Sequence, residues 1–246
     1  LVLGLGTSGR AAAELLLANG IDVTVIDGAA GTAAVERAAG LRTIGADVRL
    51  DVRECPVGDY DIGIVSPGIR VDAPWMRTLA ERGVPVISEL ELGARFCSIP
   101  LLAVTGTNGK STMVKLCGEA LARAGRRVAV GGNYGTPLCE LVMRQDPLDW
   151  LVVEVSSFQL ETVDGFRPRV GVLLNVQPDH LDRHGSMDAY RTLKARLFAR
   201  MRDGDTAVVL DADAVAAQAD VAAWRSGFEG RGPDWVTFGR DSADVT

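Results

Sequence analysis

The sequence has no Cys-x-x-Cys pair; its four cysteines, Cys55, Cys97, Cys117 and Cys139, stand apart. That spacing gives neither a paired-thiol motif nor a secreted disulfide framework, so four reduced, mostly buried thiols are expected. No apolar run reaches the roughly 20 residues of a spanning helix, and no signal peptide is recognisable. A membrane is therefore not an expected partner, and a cytoplasmic location is expected. Basic residues are not in surplus: 26 Lys and Arg face 32 Asp and Glu, for a net charge of −6. This balance disfavours a nucleic-acid backbone as partner while leaving room for a local cationic site. Aromatic residues make up only 5% of the chain, whereas glycine reaches 28 residues. Many glycines and few aromatics suit an α/β protein with phosphate loops better than a β-sandwich. The remaining composition, 47% hydrophobic and 24% charged, excludes a disordered or collagen-like chain. At 246 residues the chain has the length of one large or two modest domains, and it needs no disulfide or metal staple to fold.

Short apolar runs alternate with helical stretches. Residues 1–5 read as a strand, 10–19 as a helix closed by Gly20, and 22–26 as a second strand. Residues 62–65 read as a strand ended by the turn Ser66-Pro67-Gly68, 75–82 as a helix stopped by Gly83, and 84–87 as a strand. A second series runs through strand 101–104, helix 110–124 and strands 128–130, 150–155 and 170–174. It continues with helix 187–201, strand 206–210, an Ala-rich helix over 212–223 and a strand-like Trp235–Phe238. Such alternation implies parallel sheets covered by helices. A boundary is expected within 88–100, where Glu89–Leu92 forms a short connecting helix; the domains are assigned to residues 1–89 and 90–246. The chain opens inside a strand without an initiator Met, and residues 240–246 trail its last strand. Both ends read as cuts in a longer protein.

Two glycine-rich turns sit between strand and helix. Gly4-Leu5-Gly6-Thr7-Ser8-Gly9 is a G-x-G-x-x-G turn, with Asp27 at the end of the next strand where a ribose-binding acid belongs. The motif admits a dinucleotide, another diphosphate-bearing nucleotide, or a tight turn with no ligand. Thr105-Gly106-Thr107-Asn108-Gly109-Lys110-Ser111-Thr112 is a variant P-loop, with Val104 where the usual first glycine stands. Its backbone amides can surround phosphates, Lys110 can reach the outer ones, and the Ser111 hydroxyl can hold Mg²⁺.

Further polar signals lie in the second half. Glu154 ends an apolar strand, a position suited to Mg²⁺ or to a buried structural partner. Gly131-Gly132-Asn133-Tyr134-Gly135 is a ligand-approach loop or a plain turn. Asn175 ends a strand, and Gln177–His184 follows with both histidines of the chain, His180 and His184. With no third soft ligand, zinc is not expected there. Asp179 and Asp182 suit either helix capping or support of a ligand. Tyr190–Phe198 reads by composition as an amphipathic helix with a solvated Lys194.

Together these residues resemble the Mur ligases, ATP-dependent amide-forming enzymes of bacterial cell-wall synthesis. The Thr105–Thr112 loop resembles that family's ATP loop, and Gly131–Gly135, Asn175 and Asp179–Arg183 match the family in order. The resemblance implies a Rossmann-like N-terminal domain and a P-loop-type, mostly parallel α/β central ATPase domain, with a third, C-terminal domain absent from these 246 residues. The run Glu154–Glu161 resembles the members that join D-glutamate to UDP-N-acetylmuramoyl-L-alanine.

The resemblance implies that the first loop takes a uridine nucleotide rather than NAD. Thr7 and Ser8 would meet the diphosphate, Asp27 the uracil, and Ser66, Pro67 and Gly68 the uridine pocket. Gly28 and Ala29 stand where some relatives carry Thr-Arg. Gly106, Thr107, Asn108, Gly109, Lys110, Ser111 and Thr112 would bind ATP, and Asn133, Ser156, Gln159 and His180 the sugar substrate. Lys110, Glu154, His180 and Lys194 would be catalytic. Ser111 and Glu154 would serve one Mg²⁺; His180 and Lys194, carbamylated by CO₂, a second. The implied reaction passes through an acyl phosphate to an amide, in a monomeric enzyme. His184 falls outside the family pattern and is expected to be exposed and inert. The competing readings are another family member, such as the L-alanine-adding ligase or a folylpolyglutamate synthase, an NAD-dependent oxidoreductase, and a non-catalytic nucleotide-binding module.

Overall fold

The structure is a computed structural model and describes residues 1–144, 146–224 and 232–239. The trailing residues 240–246 lie outside the described residues. The chain divides into two compact units. Unit 1 comprises Leu1–Phe96, Pro137–Arg144 and Glu161–Asp164; unit 2 comprises Cys97–Thr136, Gln145–Leu160 and Gly165–Thr246.

Unit 1 contains β1 (Val2–Leu3), α1 (Thr7–Ala18), β2 (Thr24–Ile26), α2 (Thr32–Thr43), β3 (Asp47–Arg49) and β4 (Gly63–Val65). It continues with α3 (Pro74–Glu81), β5 (Val86–Ser88) and α4 (Glu89–Phe96). The strands form one sheet in the order β3-β2-β1-β4-β5, parallel throughout. This order makes β1 a topological switch point, since the chain winds outward in opposite senses on its two sides. Leu3 is in register with Ile26 and Val65, so Gly4, Asp27 and Ser66 follow at adjacent strand ends. Ala11, Ala12 and Ala13 of α1 are fully buried, between the sheet and the neighbouring helices. Their small side chains, with Gly9, let the helix lie close to the strands. The boundary expected after residue 89 falls in the first turn of α4, which packs with unit 1.

Unit 2 begins with β6 (Leu101–Thr105), α5 (Lys110–Arg123) and β7 (Val128–Gly132). Helix α6 (Leu138–Val142) packs with unit 1, and β8 (Trp150–Glu154) returns to unit 2. Then come α7 (Ser157–Leu160), β9 (Val170–Leu173), α8 (Leu181–His184), α9 (Met187–Ala195) and a 3₁₀ turn at Arg196–Phe198. β10 (Thr206–Leu210), α10 (Asp211–Trp224) and β11 (Asp234–Phe238) complete it. The sheet order is β11-β10-β9-β6-β8-β7, again parallel. Val104, Val152 and Val172 on three neighbouring strands meet Val114 of α5 in the core. These strands are buried on both faces, which explains their near-continuous apolar sequences.

The expected helix over 187–201 is shorter: it tightens into the 3₁₀ turn after Ala195. The first helix starts at Thr7 rather than at residue 10, because the glycine turn itself feeds the helix. Of the four cysteines, all free, Cys55 and Cys139 are buried and Cys97 and Cys117 half-buried.

Candidate active site

The first turn is held from both sides. Gly4 adopts φ +90°, and Gly9 packs so closely that a Cβ there would overlap the Gly4 carbonyl oxygen. Asp27 accepts hydrogen bonds from Leu5 N at 2.5 Å and Ala29 N at 2.7 Å. Both carboxylate oxygens thus hold backbone amides, so Asp27 shapes the turn. Arg37 of α2 donates from Nε to Leu5 O at 2.9 Å, and Ser66 Oγ donates to Gly4 O at 3.4 Å. Thr7 and Ser8 lie in the first turn of α1, whose N-cap Gly6 provides no side-chain cap. The first amides of this helix are therefore available to an anion. Beside the turn, a cavity of about 620 Å³ is lined by Gly28, Gly68, Ile69, Arg53, Arg70 and Trp75, among others. Residues 67 and 68 form the turn that leads from β4 into its wall.

The second turn is built around Gly106 (φ +153°) and Gly109 (φ +83°), the N-cap of α5. Asn175, at the end of β9, accepts on Oδ1 from Thr107 N at 3.2 Å and Asn108 N at 3.0 Å. Its Nδ2 donates to Asn108 O at 3.2 Å. Gln177 N donates to Thr107 Oγ1 at 3.0 Å, and Asn108 Nδ2 donates to Gln177 Oε1 at 3.0 Å. Lys110 Nζ donates to Gly106 O at 3.0 Å and to Thr107 O at 2.8 Å. Ser111 sits half-buried in the first turn of α5, with Thr112 exposed beside it.

Sheet register delivers the acid. Glu154 pairs with Val104 on β6 and Gly132 on β7, which places it at the carboxyl edge beside the loop. Ser111 Oγ donates to Glu154 Oε2 at 2.5 Å, and Asn133 Nδ2 donates to Oε1 at 2.8 Å. Gly132 (φ +103°) permits this approach, since a Cβ there would overlap Glu154 O. Gln159 is buried; its Oε1 accepts from Ser156 N at 3.0 Å and Ser156 Oγ at 3.2 Å. Its Nε2 finds no partner.

Lys194 is not solvated: it is 1% exposed. Its ammonium donates to Gly106 O at 2.9 Å and lies 4.5 Å from the centroid of the Tyr190 ring. Two lysines therefore share one carbonyl. Burial first, and then the charge of Lys110, bring the Lys194 amine from 10.5 down to about 7, with Asp179 opposing.

His180, the N-cap of α8, takes a left-handed conformation, φ +51°. Its side chain is half exposed, 3.4 Å from Asp179 Oδ2, with its ring against Phe158 at 4.9 Å. Asp179 accepts from His180 N at 2.9 Å. The expectation of an exposed His184 is corrected. Its Nε2 lies 3.1 Å from Ser157 Oγ, and its ring stacks on Tyr190 at 5.1 Å. Phe158 and Tyr190 create a semi-buried aromatic setting for a residue that looked solvated in sequence. Tyr190 and Gln177 are site residues that motif reading missed. Tyr190 stands four residues before Lys194 on one helix, a spacing that puts both on the same face and could have revealed it.

The constellation can bind a polyphosphate and supply both cationic and carboxylate groups to it. The family model for the Mur ligase middle domain matches residues 104–245, and the MurD-like N-terminal domain model of the Mur ligases matches residues 1–88. The UDP-N-acetylmuramoylalanine–D-glutamate ligase of Koribacter versatilis is 41% identical over 214 residues, 87% of this chain and 47% of the relative. The ligase of the same name from Desulfatibacillum aliphaticivorans is 37% identical over 246 residues, 99% of this chain and 53% of the relative. The chain spans about half the length of the curated relatives it matches. Among solved structures, the UDP-N-acetylmuramate:L-alanyl-γ-D-glutamyl-meso-diaminopimelate ligase of Neisseria meningitides gives a TM-score of 0.59 at 20% identity, covering 98% of this chain and 78% of that one. The MurF ligase of Thermotoga maritima in complex with ADP gives 0.51 at 18% identity, covering 91% and 49%. Likeness at that level shows the shared fold. With a sequence match across both units and a loop geometry to go with it, the chain belongs to the Mur ligase family.

Proposed function

We propose that this chain is the sugar-nucleotide- and ATP-binding part of a ligase that joins D-glutamate to UDP-N-acetylmuramoyl-L-alanine. The observation that carries the reading is the convergence of Lys110 and Lys194 on Gly106 O beside the Ser111–Glu154–Asn133 set. Residues 1–89 act as the uridine-nucleotide domain, with Thr7 and Ser8 toward the diphosphate and Ser66, Pro67 and Gly68 at the uridine. Asp27 lies toward the uracil and also holds the turn. Residues 90–246 act as the ATPase domain, with Gly106–Thr112 around the triphosphate and Asn133, Ser156, Gln159 and His180 orienting the sugar substrate. The remaining half of such a ligase supplies the D-glutamate site. The working protein is a monomer of the cytoplasm; among the described residues no helix is long and apolar enough to cross a membrane.

The chemistry must bring an anionic carboxylate to an anionic triphosphate. An oxygen of the alanine carboxylate bonds to the γ-phosphorus, the bond to the β,γ-bridging oxygen breaks, and ADP departs. The D-glutamate amine then adds to the acyl carbon of this acyl phosphate and loses a proton, and phosphate leaves as the amide forms. Lys110 supplies fixed positive charge where the negative charge accumulates.

Ser111 and Glu154 fit Mg²⁺, being hard oxygen donors brought together at the loop. When bound, the ion neutralises triphosphate charge. Among the described residues no cluster of three His, Cys, Asp or Glu side chains forms, which suits an ion held largely by substrate phosphates. As an ammonium, Lys194 does not suit a second cation. Its depressed amine is neutral above about pH 7, and a neutral amine adds to CO₂, forming a C–N bond and releasing a proton. The resulting carbamate offers anionic oxygens beside the loop, to be shared with His180.

Calorimetry on the 246-residue chain tests the reading. UDP-N-acetylmuramoyl-L-alanine and ADP with Mg²⁺ are each expected to bind, one per chain, while the chain alone makes no D-glutamyl amide. Preference of the Gly4–Gly9 turn for NADH over the UDP-sugar, or amide product from the chain alone, would overturn it.

A further inference from the structure

Two segments depart from unit 2 and pack in unit 1: Pro137–Arg144 and Glu161–Asp164. Each continues from a turn assigned above to the sugar substrate. Pro137 follows the turn carrying Asn133, which Gly132 N closes by donating to Thr136 O at 2.8 Å. Glu161 follows the short turn of helix α7, which carries Gln159 and begins directly after Ser156. The helix α4 meets both segments with carboxylates that are almost wholly buried, Glu89 at 1% and Glu91 at 0% exposed.

Glu89 Oε1 accepts from Cys139 N at 2.7 Å. Cys139 is the second residue of α6, whose N-cap, Pro137, provides no side-chain cap. Glu89 therefore satisfies a helix-end amide that the local sequence leaves open. Cys139 Sγ in return donates to Glu89 O at 3.3 Å. Glu91 Oε2 accepts from Asp164 N at 3.2 Å while Oε1 takes Arg95 Nε at 2.8 Å. Ser88 N adds a bond to Thr162 O at 3.2 Å. The approach is as close as a backbone allows: a Cβ on Gly93 would stand 2.7 Å from Leu138 Cγ and 3.0 Å from Cys139 N. Packing alone does not call for a carboxyl here. Glu89 Oε2 is buried without a partner, and burial pushes the group up to about 7 against the pull of Cys139. An unpartnered buried oxygen is unfavourable, so the carboxyl is tolerated for the position it imposes.

We infer that Glu89 and Glu91 are positioning residues that pin the two segments to α4 and thereby fix, through the chain, the turns presenting Asn133 and Gln159 to the sugar substrate. The substrate role of those turns rests on the function proposed above; the pinning itself does not.

Amide hydrogen exchange read by mass spectrometry on the 246-residue chain tests it. Glu89→Ala is expected to speed exchange about tenfold or more in residues 131–136 as well as in 137–144. Glu89→Gln retains an acceptor oxygen for Cys139 N and mimics the protonated acid, so it is expected to restore exchange to within about twofold of the parent. Glu91→Ala reads the second point alone, with faster exchange in 156–160 and none added in 131–136, and it serves if Glu89→Ala does not fold. Faster exchange confined to 137–144 or 161–164, or failure of Gln to restore, overturns the inference. Calorimetry supplies the functional arm: Glu89→Ala is expected to weaken UDP-N-acetylmuramoyl-L-alanine about tenfold and to leave ADP with Mg²⁺ within about twofold. Equal weakening of both ligands counts against positioning. If the parent chain binds no UDP-sugar, the proposed function fails, and the exchange pattern still decides the pinning.

Discussion

Gly9 and Gly109 occupy comparable places in two strand–turn–helix units, yet different forces demand glycine at each. At Gly9 the demand is packing, because a Cβ would overlap the Gly4 carbonyl oxygen. At Gly109 it is conformation: φ is +83°, and the nearest atom to a Cβ, Leu174 Cδ1, stands 3.6 Å away. The charge around the turns differs as well. The 4–9 turn holds itself with the Asp27 carboxylate on two amides and the Arg37 guanidinium on a carbonyl. The 106–112 turn brings two lysines onto one carbonyl and a glutamate onto its serine. Backbone geometry makes both turns able to receive an anion. Concentrated charge distinguishes the second turn from the first.

Breaking that comparison starts with Gly9→Ala, expected to cost about 3–4 kcal/mol in urea unfolding because neither the strand end nor the helix can yield cheaply. A loss below about 1 kcal/mol would show that the turn is less tightly packed than the geometry indicates. Next, Lys110→Ala removes charged hydrogen bonds worth about 2–3 kcal/mol, so calorimetric affinity for ATP with Mg²⁺ is expected to fall roughly 30- to 100-fold. Affinity for the UDP-sugar is expected to stay within about twofold, and a parallel fall would erase the division of labour between the turns.

The third test titrates the buried lysine in CO₂-free buffer. Burial, then Lys110, bring its amine from 10.5 to about 7. Between those values the unfolded chain holds a proton that the folded chain has lost, so stability rises with pH across that window. Below about 7 both states are protonated and the full penalty of the buried ammonium applies. Lys194→Met should therefore raise Tm most below pH 7, with the gain shrinking toward pH 10.5. A gain that grows with pH would contradict the environment assigned to Lys194. The smallest effect is Gly109→Ala, about 1–2 kcal/mol from left-handed strain alone. If it exceeds that of Gly9→Ala, packing and conformation have been assigned to the wrong glycines.

Much of this arrangement was legible in the residues. The alternation of apolar runs with helical stretches announced parallel sheets, and each glycine-rich turn announced a strand–helix junction. The short elements α2, β3 and α6 were not legible. α2 has almost no amphipathic contrast, since small alanines carry its buried face, and β3 buries just Val48 of its three residues. Lys194 and His184 both read as solvated because local composition says nothing about what a neighbouring strand or helix will place on top. Asp27 was placed correctly at a strand end, but its occupation by two amides depends on where Leu5 and Ala29 come to lie.

Sequence by itself determined the chemistry available: two anion-receptive turns, a lysine and a serine on the second, and a carboxylate at a strand end. Those properties are local, set by backbone freedom at glycine and by side-chain type. Tertiary structure alone decided the partnerships, namely Glu154 on Ser111, Lys194 on Gly106 and the Glu89 carboxyl on α6. Sheet register and helix packing join residues dozens of positions apart, and only that juxtaposition lowers the Lys194 amine and buries the α4 carboxylates.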